Sequence, residues 1–109
     1  MYGINEIDSE TLKVWKEKGK SIRLIDVRSQ AEMMQGMIQD GEALPLHLLP
    51  VKTADLEGDH DIIFYCRTGA RSAQACAYMA QNGFDRAYNL RGGIMDWVRS
   101  GNQVIRGIL

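Results

Sequence analysis

The sequence predicts an α/β domain whose parallel sheet is covered by helices on both faces. Short runs of β-branched and aromatic residues, which are typical of buried strands, recur along the chain. Between them lie segments with apolar residues three and four positions apart, which are typical of helices. Because strands that alternate with helices usually pair in parallel, the two patterns together favour a parallel sheet.

The composition is that of one globular domain. The chain has 109 residues, of which 45% are hydrophobic and 25% are charged. Its net charge of -1 gives no reason to expect a nucleic-acid or membrane partner. No apolar run approaches the length of a membrane span, and the first residues lack signal-peptide character. We therefore expect residues 1–109 to form a single cytoplasmic domain, with residues 102–109 as a C-terminal tail.

The first half of the chain is predicted to hold three strands and three short helices. Ile4 and Ile7 indicate an edge strand, and Asp8 or Ser9 can cap the helix that follows and ends near Gly19. The next elements are a strand over residues 22–25, a helix over 30–35, an extended or edge segment over 43–46, and a broken helix over 47–58.

The second half is predicted to hold the central strand. Residues 62–65 are apolar throughout and form this strand, and a helix follows Ser72 and runs to about Asn82. A short strand over residues 87–90 and a helix over 94–100 complete the domain. Cys66 therefore stands at the carboxyl end of a strand, in a tight turn before a helix, which is where open α/β sheets bind their ligands.

The turn around Cys66 has the residues that activate a thiol. A free thiol has a pKa near ~8.5, which nearby cations and a helix N-terminus can lower. Arg67 and Arg71 supply positive charge, and Gly69 allows a tight turn. The backbone N–H groups between Thr68 and Ser72 should point inward and hold an anion. We therefore interpret Cys66 as a reactive thiolate, the alternative being a buried structural cysteine.

Other polar and sulfur-containing residues have simpler interpretations. Asp26 and Arg28 end a strand at the same edge of the sheet, where they form a structural ion pair or cap, with a direct chemical role as the alternative. Cys76 lies among alanines on a helix and is interpreted as core packing. The methionines at positions 33, 34 and 37 are likewise interpreted as packing.

Several stretches together resemble a single-domain rhodanese. In chain order these stretches are LIDVR at residues 24–28, Glu32 with Gly36, YCRTGARS at residues 65–72, and NLRGGIMDW at residues 89–97. The resemblance implies a central, mainly parallel five-stranded sheet. It also implies a sulfurtransferase in which Cys66 becomes a persulfide, cradled by the loop residues Arg67, Thr68, Gly69, Ala70, Arg71 and Ser72. No cofactor or metal is implied.

The resemblance also implies the substrates. A small anionic donor, thiosulfate or a polysulfide, would load Cys66, and a thiol, cyanide or a protein sulfur carrier would accept the sulfur. One segment departs from the family pattern Gly-His-Ile-Pro-Gly-Ala: residues 36–43 read GMIQDGEA, without the histidine or the proline. This departure bears on the choice of acceptor more than on the chemistry.

Three other functions are compatible with parts of this pattern. Related phosphatases and arsenate reductases place five residues between cysteine and arginine, whereas four separate Cys66 from Arg71, so the smaller ring favours sulfur over phosphate. A non-catalytic or partner-dependent sulfur carrier or persulfide sensor would have the same loop as the enzyme. An inert rhodanese-like scaffold would have a Cys66 no more reactive than a free thiol.

Overall fold

A computed structural model describes residues 3–106, which form five strands and five α-helices. The strands are β1 (Asn5–Ile7), β2 (Ile22–Asp26), β3 (Gly41–Ala43), β4 (Asp61–Tyr65) and β5 (Ala87–Leu90). The helices are α1 (Ser9–Glu17), α2 (Gln30–Met34), α3 (Leu49–Leu56), α4 (Ala70–Gln81) and α5 (Gly93–Arg99), with a 3-10 turn at Leu46–Leu48.

The five strands form one sheet in the order β1-β5-β4-β2-β3, and every neighbouring pair is parallel. The predicted α/β fold with a five-stranded parallel sheet is therefore confirmed. The strand that leads to Cys66, β4, lies at the centre, between β5 and β2. Because all strands run the same way, their carboxyl ends share one edge of the sheet.

The two faces of the sheet are covered by separate apolar cores. Along β4, Ile62 and Phe64 pack with α3 and α4 on one face, whereas Ile63 and Tyr65 pack with α1 and α5 on the other. This alternation follows from the two-residue period of a strand. Since both faces are covered, β4 is apolar over Ile62–Tyr65 without interruption, which is the pattern of a buried parallel strand.

Two boundaries differ from the sequence prediction. The third strand lies at Gly41–Ala43, so the prediction of residues 43–46 was wrong by about two residues. Pro45 cannot donate to a strand ladder, and the chain turns into the 3-10 helix directly after it. Helix α4 begins at Ala70, three residues before the predicted start, which was directly after Ser72. The last three residues of the predicted loop therefore belong to the first turn of the helix.

The segment that departs from the family pattern is anchored by a tyrosine and by the chain end. The N–H of Ile38 donates to the Tyr65 hydroxyl at 3.1 Å. Met37 and Ile105 exchange two backbone hydrogen bonds of 2.9 and 2.8 Å, which hold the tail along the domain as far as it is described. Residues 107–109 of the predicted tail lie outside the described part.

Met33 and Met37 are buried as predicted, but Met34 is half exposed, contrary to the prediction.

Asp40 has a left-handed backbone, with φ = 71°. It is the one non-glycine residue with positive φ in the described range. Aspartate tolerates this conformation better than most residues, because its short side chain can form local hydrogen bonds.

None of the helices between residues 3 and 106 is both long and apolar enough to cross a bilayer.

Candidate active site

Cys66 occupies the carboxyl end of the central strand, directly before the turn that opens α4. Its side chain is buried, with 1% of its surface exposed. The N–H of Gly69 donates to Sγ at 3.1 Å, and the Ser72 hydroxyl lies 3.4 Å from Sγ and can also donate to it. The sulfur is therefore held by donors from both the turn and the first helical turn, which is an arrangement suited to an anion.

These donors decide the acidity of the thiol. Burial raises the pKa of Cys66, but hydrogen bonds from the Ser72 hydroxyl and from the backbone of Ser72, Gly69 and Thr68 lower it. The hydrogen bonds outweigh burial, so the pKa lies below the ordinary value of a cysteine. A larger share of thiolate near neutral pH follows, and the thiolate is the nucleophilic form.

Two glycines allow the turn to close. Gly69 precedes α4 with φ = 111°, a conformation that favours glycine. Gly93 begins α5 with φ = 60°, and a Cβ there would lie 2.6 Å from the carbonyl oxygen of Cys66 and closer still to that of Arg67. The same carbonyls accept hydrogen bonds from Ile94 and Met95, of 2.9 and 3.1 Å. The N-terminus of α5 therefore packs against the backbone of the turn and hydrogen-bonds to it.

The two arginines contribute less to the acidity of Cys66 than the sequence predicted. Arg71 forms a bidentate ion pair with Glu32 of α2, with N–O distances of 2.7 and 2.9 Å. Arg67 is exposed and has no side-chain hydrogen bond or ion pair within residues 3–106. The hydrogen bonds of Ser72, Gly69 and Thr68, rather than the arginine charges, are the main cause of the lowered Cys66 pKa. The charge of Arg71 is largely balanced by Glu32.

Asp26 and Arg28 form a buried ion pair at the end of β2. Arg28 Nη2 lies 2.8 Å from Asp26 Oδ2, and the two side chains are 7% and 0% exposed. Arg28 also donates to the carbonyl oxygen of Gly36, and its guanidinium lies 5.8 Å from the ring centroid of Tyr65. Asp26 is thus neutralised by Arg28, and Arg28 is also held by Gly36 and Tyr65, which is the geometry of a structural pair.

Asn89 of β5 is a site residue that the sequence analysis missed. Its Nδ2 donates to the carbonyl oxygen of Gly69 at 3.2 Å, and its Oδ1 accepts from the Ser72 hydroxyl at 2.5 Å. Nδ2 also donates to Glu6 of β1 at 3.1 Å. The residues are 17 to 83 positions apart, so local spacing gave no signal of this cluster.

Cys76 lies in the core on α4, with 2% of its surface exposed. Burial raises the pKa of its thiol to about 12. Among the described residues, Cys66 and Cys76 are both free of disulfides. Their environments are opposite, since one thiol is surrounded by hydrogen-bond donors and the other by apolar side chains.

The chain is similar to known proteins over most of its length. A family model described as the rhodanese-like domain matches residues 8–100. The chain is 47% identical over 102 residues to a sulfurtransferase of Allochromatium vinosum, which covers 94% of this chain and 95% of that one. It is 34% identical to the thiosulfate sulfurtransferase GlpE of Stutzerimonas stutzeri, over 68% of each chain. A solved rhodanese-like domain protein from Staphylococcus aureus has a TM-score of 0.85 and 25% identity, over 96% of this chain and 100% of the other.

Proposed function

Because the chain belongs to the rhodanese-like domain family, we propose that it transfers sulfane sulfur through a persulfide on Cys66. Similarity to proteins named sulfurtransferases supports a transferase. The observation that carries the assignment to Cys66 is its hydrogen-bonded sulfur, with a lowered pKa, at the carboxyl end of the central strand. The proposal takes residues 1–109 as one rhodanese domain working in the cytoplasm.

The proposed reaction has two steps. The Cys66 thiolate attacks the outer sulfur of thiosulfate, a sulfur–sulfur bond forms on Cys66, and sulfite leaves with the electron pair of the broken bond. A nucleophile such as cyanide or a thiolate then attacks the outer sulfur of the persulfide. The new bond forms as the Cys66–sulfur bond breaks, which returns the Cys66 thiolate. Because a covalent intermediate separates the two substrates, ping-pong kinetics are expected.

The turn has a role in each step. The Gly69 N–H and the Ser72 hydroxyl stabilise the attacking thiolate and the thiolate that is released at the end. Arg71, with Arg67 at the outer side of the turn, provides positive charge for the anionic donor. Thr68 and Ala70 contribute backbone to the cradle. The buried pair of Asp26 and Arg28 supports the rim of the site.

Thiosulfate is the proposed donor because of the similarity to GlpE and the positive charge at the turn. The test is thiocyanate formation from thiosulfate and cyanide. We expect turnover in the wild type, none in Cys66→Ser, and near wild-type turnover in the matched variant Cys76→Ala. Persulfide loading without turnover would instead identify a partner-dependent sulfur carrier. Hydrolysis of an aryl phosphate that depends on Cys66 would overturn the proposal in favour of a phosphatase.

A further inference from the structure

Both polar atoms of the Asn89 side chain form hydrogen bonds next to the turn around Cys66. The residue is 2% exposed, and its three hydrogen bonds reach Gly69, Ser72 and Glu6. Besides Cys66 itself, it is the one side chain within residues 3–106 that hydrogen-bonds to both Gly69 and Ser72. Both residues also hydrogen-bond to the sulfur, as does the backbone of Thr68.

The orientation of the Asn89 amide is fixed by its partners. Its Nδ2 faces two oxygens that can only accept, the Gly69 carbonyl and the Glu6 carboxylate. A flipped amide would place Oδ1 against both of these acceptors. Oδ1 must therefore face Ser72, where it accepts the hydroxyl hydrogen. Glu6 Oε1 in turn accepts from Nε of Arg91 at 3.4 Å, so the chain of contacts extends from the sulfur to an exposed side chain after β5.

We propose that Asn89 is a positioning residue, which holds the Ser72 hydroxyl and the Gly69 peptide against the sulfur of Cys66. The proposal deepens the function above and rests on Cys66 being its reactive thiol. Without Asn89, the Ser72 side chain is free to rotate away from Sγ. Gly69 has a positive φ of 111°. Its carbonyl oxygen loses one of its two hydrogen-bond donors and keeps only the Ala73 N–H. Both donors to the sulfur are then less well placed.

A competing effect has the opposite sign. A serine hydroxyl has one hydrogen, and Asn89 Oδ1 and Cys66 Sγ both lie within its reach. If competition for that hydrogen dominated, removal of Asn89 would make Cys66 more acidic. Placement should dominate because it acts on two donors, whereas competition concerns the one hydrogen of the Ser72 hydroxyl, whose bond to the thiolate is charge-assisted.

Charged groups on several neighbouring elements are part of the environment of Cys66. Asn89→Ala leaves these residues in place and removes a hydrogen bond from only one of them, Glu6, so a shift in the titration can be assigned to the loss of the amide and its contacts. The groups are Glu6 on β1, Asp26 and Arg28 at the end of β2, Glu32 on α2, Arg67 and Arg71 at the turn and α4, and Arg91 after β5.

The experiment measures the rate of iodoacetamide alkylation of Cys66 against pH. In Asn89→Ala, we expect the midpoint to move to higher pH and the rate at pH 7 to fall roughly three- to tenfold. The limiting rate at high pH should match the wild type, because the thiolate itself is unchanged. Asn82→Ala, a change at an exposed asparagine at the end of α4, should leave the profile unchanged. In a Ser72→Ala background, the further effect of Asn89→Ala should be smaller than in the wild type.

An unchanged or lowered midpoint in folded Asn89→Ala would overturn the proposal, even if thermal stability fell. If this variant does not fold, Glu6→Ala and Glu6→Gln decide the question. Both remove the charge, but only glutamine keeps an acceptor for Asn89, so the alanine variant should have the higher midpoint. Equal midpoints would overturn the proposal. Sulfur loading of Cys66 is measured separately, so a failure of the proposed function is distinguishable from a failure of this inference.

Discussion

Arg71 of α4 and Glu32 of α2 are joined by two hydrogen bonds, of 2.7 and 2.9 Å, between the guanidinium and the carboxylate. The pair connects α4, the helix that begins at the turn around Cys66, to the short helix α2. Glu32 also closes a capping box with Ser29 at the start of α2. The arginine that the sequence predicted as an anion binder therefore has a structural partner as well.

Replacing Arg71 by alanine should weaken anionic sulfur donors more than it weakens folding. The ion pair is partly exposed, so solvent screening limits what its loss costs in stability, whereas the donor loses a positive charge next to the turn. We expect the KM for thiosulfate to rise roughly three- to tenfold, with a smaller change for an uncharged persulfide donor. Glu32→Gln is the matched control, because it leaves Arg71 in place without its counter-charge and should not raise this KM. Equal losses with both donors in Arg71→Ala would contradict this role.

Glu32 should make the stability of the domain depend on acid pH. Its hydrogen bonds from Arg71 lower the pKa of the carboxyl from 4.5 to about 2 in the folded protein. A carboxylate with a depressed pKa stabilises the fold above the unfolded pKa, and this contribution is lost as the pH falls toward the folded pKa. The difference in free energy of unfolding between wild type and Glu32→Gln should thus shrink from pH 5 to pH 2. Urea unfolding measures it, and a difference that does not vary with pH would refute the prediction.

Gly93→Ala should damage the domain far more than Gly101→Ala. Both glycines have positive φ, of 60° and 91°, so both substitutions cost about 1–2 kcal/mol of backbone strain. Only at Gly93 would the new methyl group collide with the backbone of the catalytic turn, whereas nothing lies within 4 Å at Gly101. We expect a much lower Tm, and loss of Cys66 reactivity, for Gly93→Ala alone. Similar melting temperatures for the two variants would show that the turn can move away.

Iodoacetamide should label Cys66 and leave Cys76 unmodified in the folded protein at pH 7. The two thiols are covered to a similar extent, with 1% and 2% exposed, so the difference in labelling depends on their acidity. Hydrogen bonds lower the pKa of Cys66, whereas burial raises that of Cys76 to about 12. Intact mass should show one label on the wild type and none on Cys66→Ser. Labelling should be faster than for a free cysteine at pH 7 and should slow as the pH falls. A rate equal to that of a free thiol would favour the inert scaffold.

Local patterns predicted most of the fold and the position of Cys66 in it. The apolar run of β4, Cys66 at its end, Gly69 in the turn and the following helix lie next to one another in the sequence, so the chemistry of one short stretch describes them. The third strand was misplaced because it is three residues long, lies at the sheet edge and carries no clear alternation. Its position depends on pairing with β2, which a local pattern does not contain.

The missed parts of the site are contacts between distant residues. Glu32 lies 39 positions from Arg71, and Glu6 lies 83 positions from Asn89. The arginine charges were overestimated for the same reason, since the partner of Arg71 comes from another helix. Gly93 was recognised only as a turn residue, although its close approach to Cys66 and Arg67 explains why no larger residue fits.

Sulfur loading tests the central claim most directly. The wild type, Cys66→Ser and Cys76→Ala are incubated with thiosulfate, freed of excess donor and examined by intact mass spectrometry under non-reducing conditions. The account predicts one added sulfur atom on the wild type and on Cys76→Ala, and none on Cys66→Ser. No added sulfur on the wild type, or an equal gain in Cys66→Ser, would contradict it.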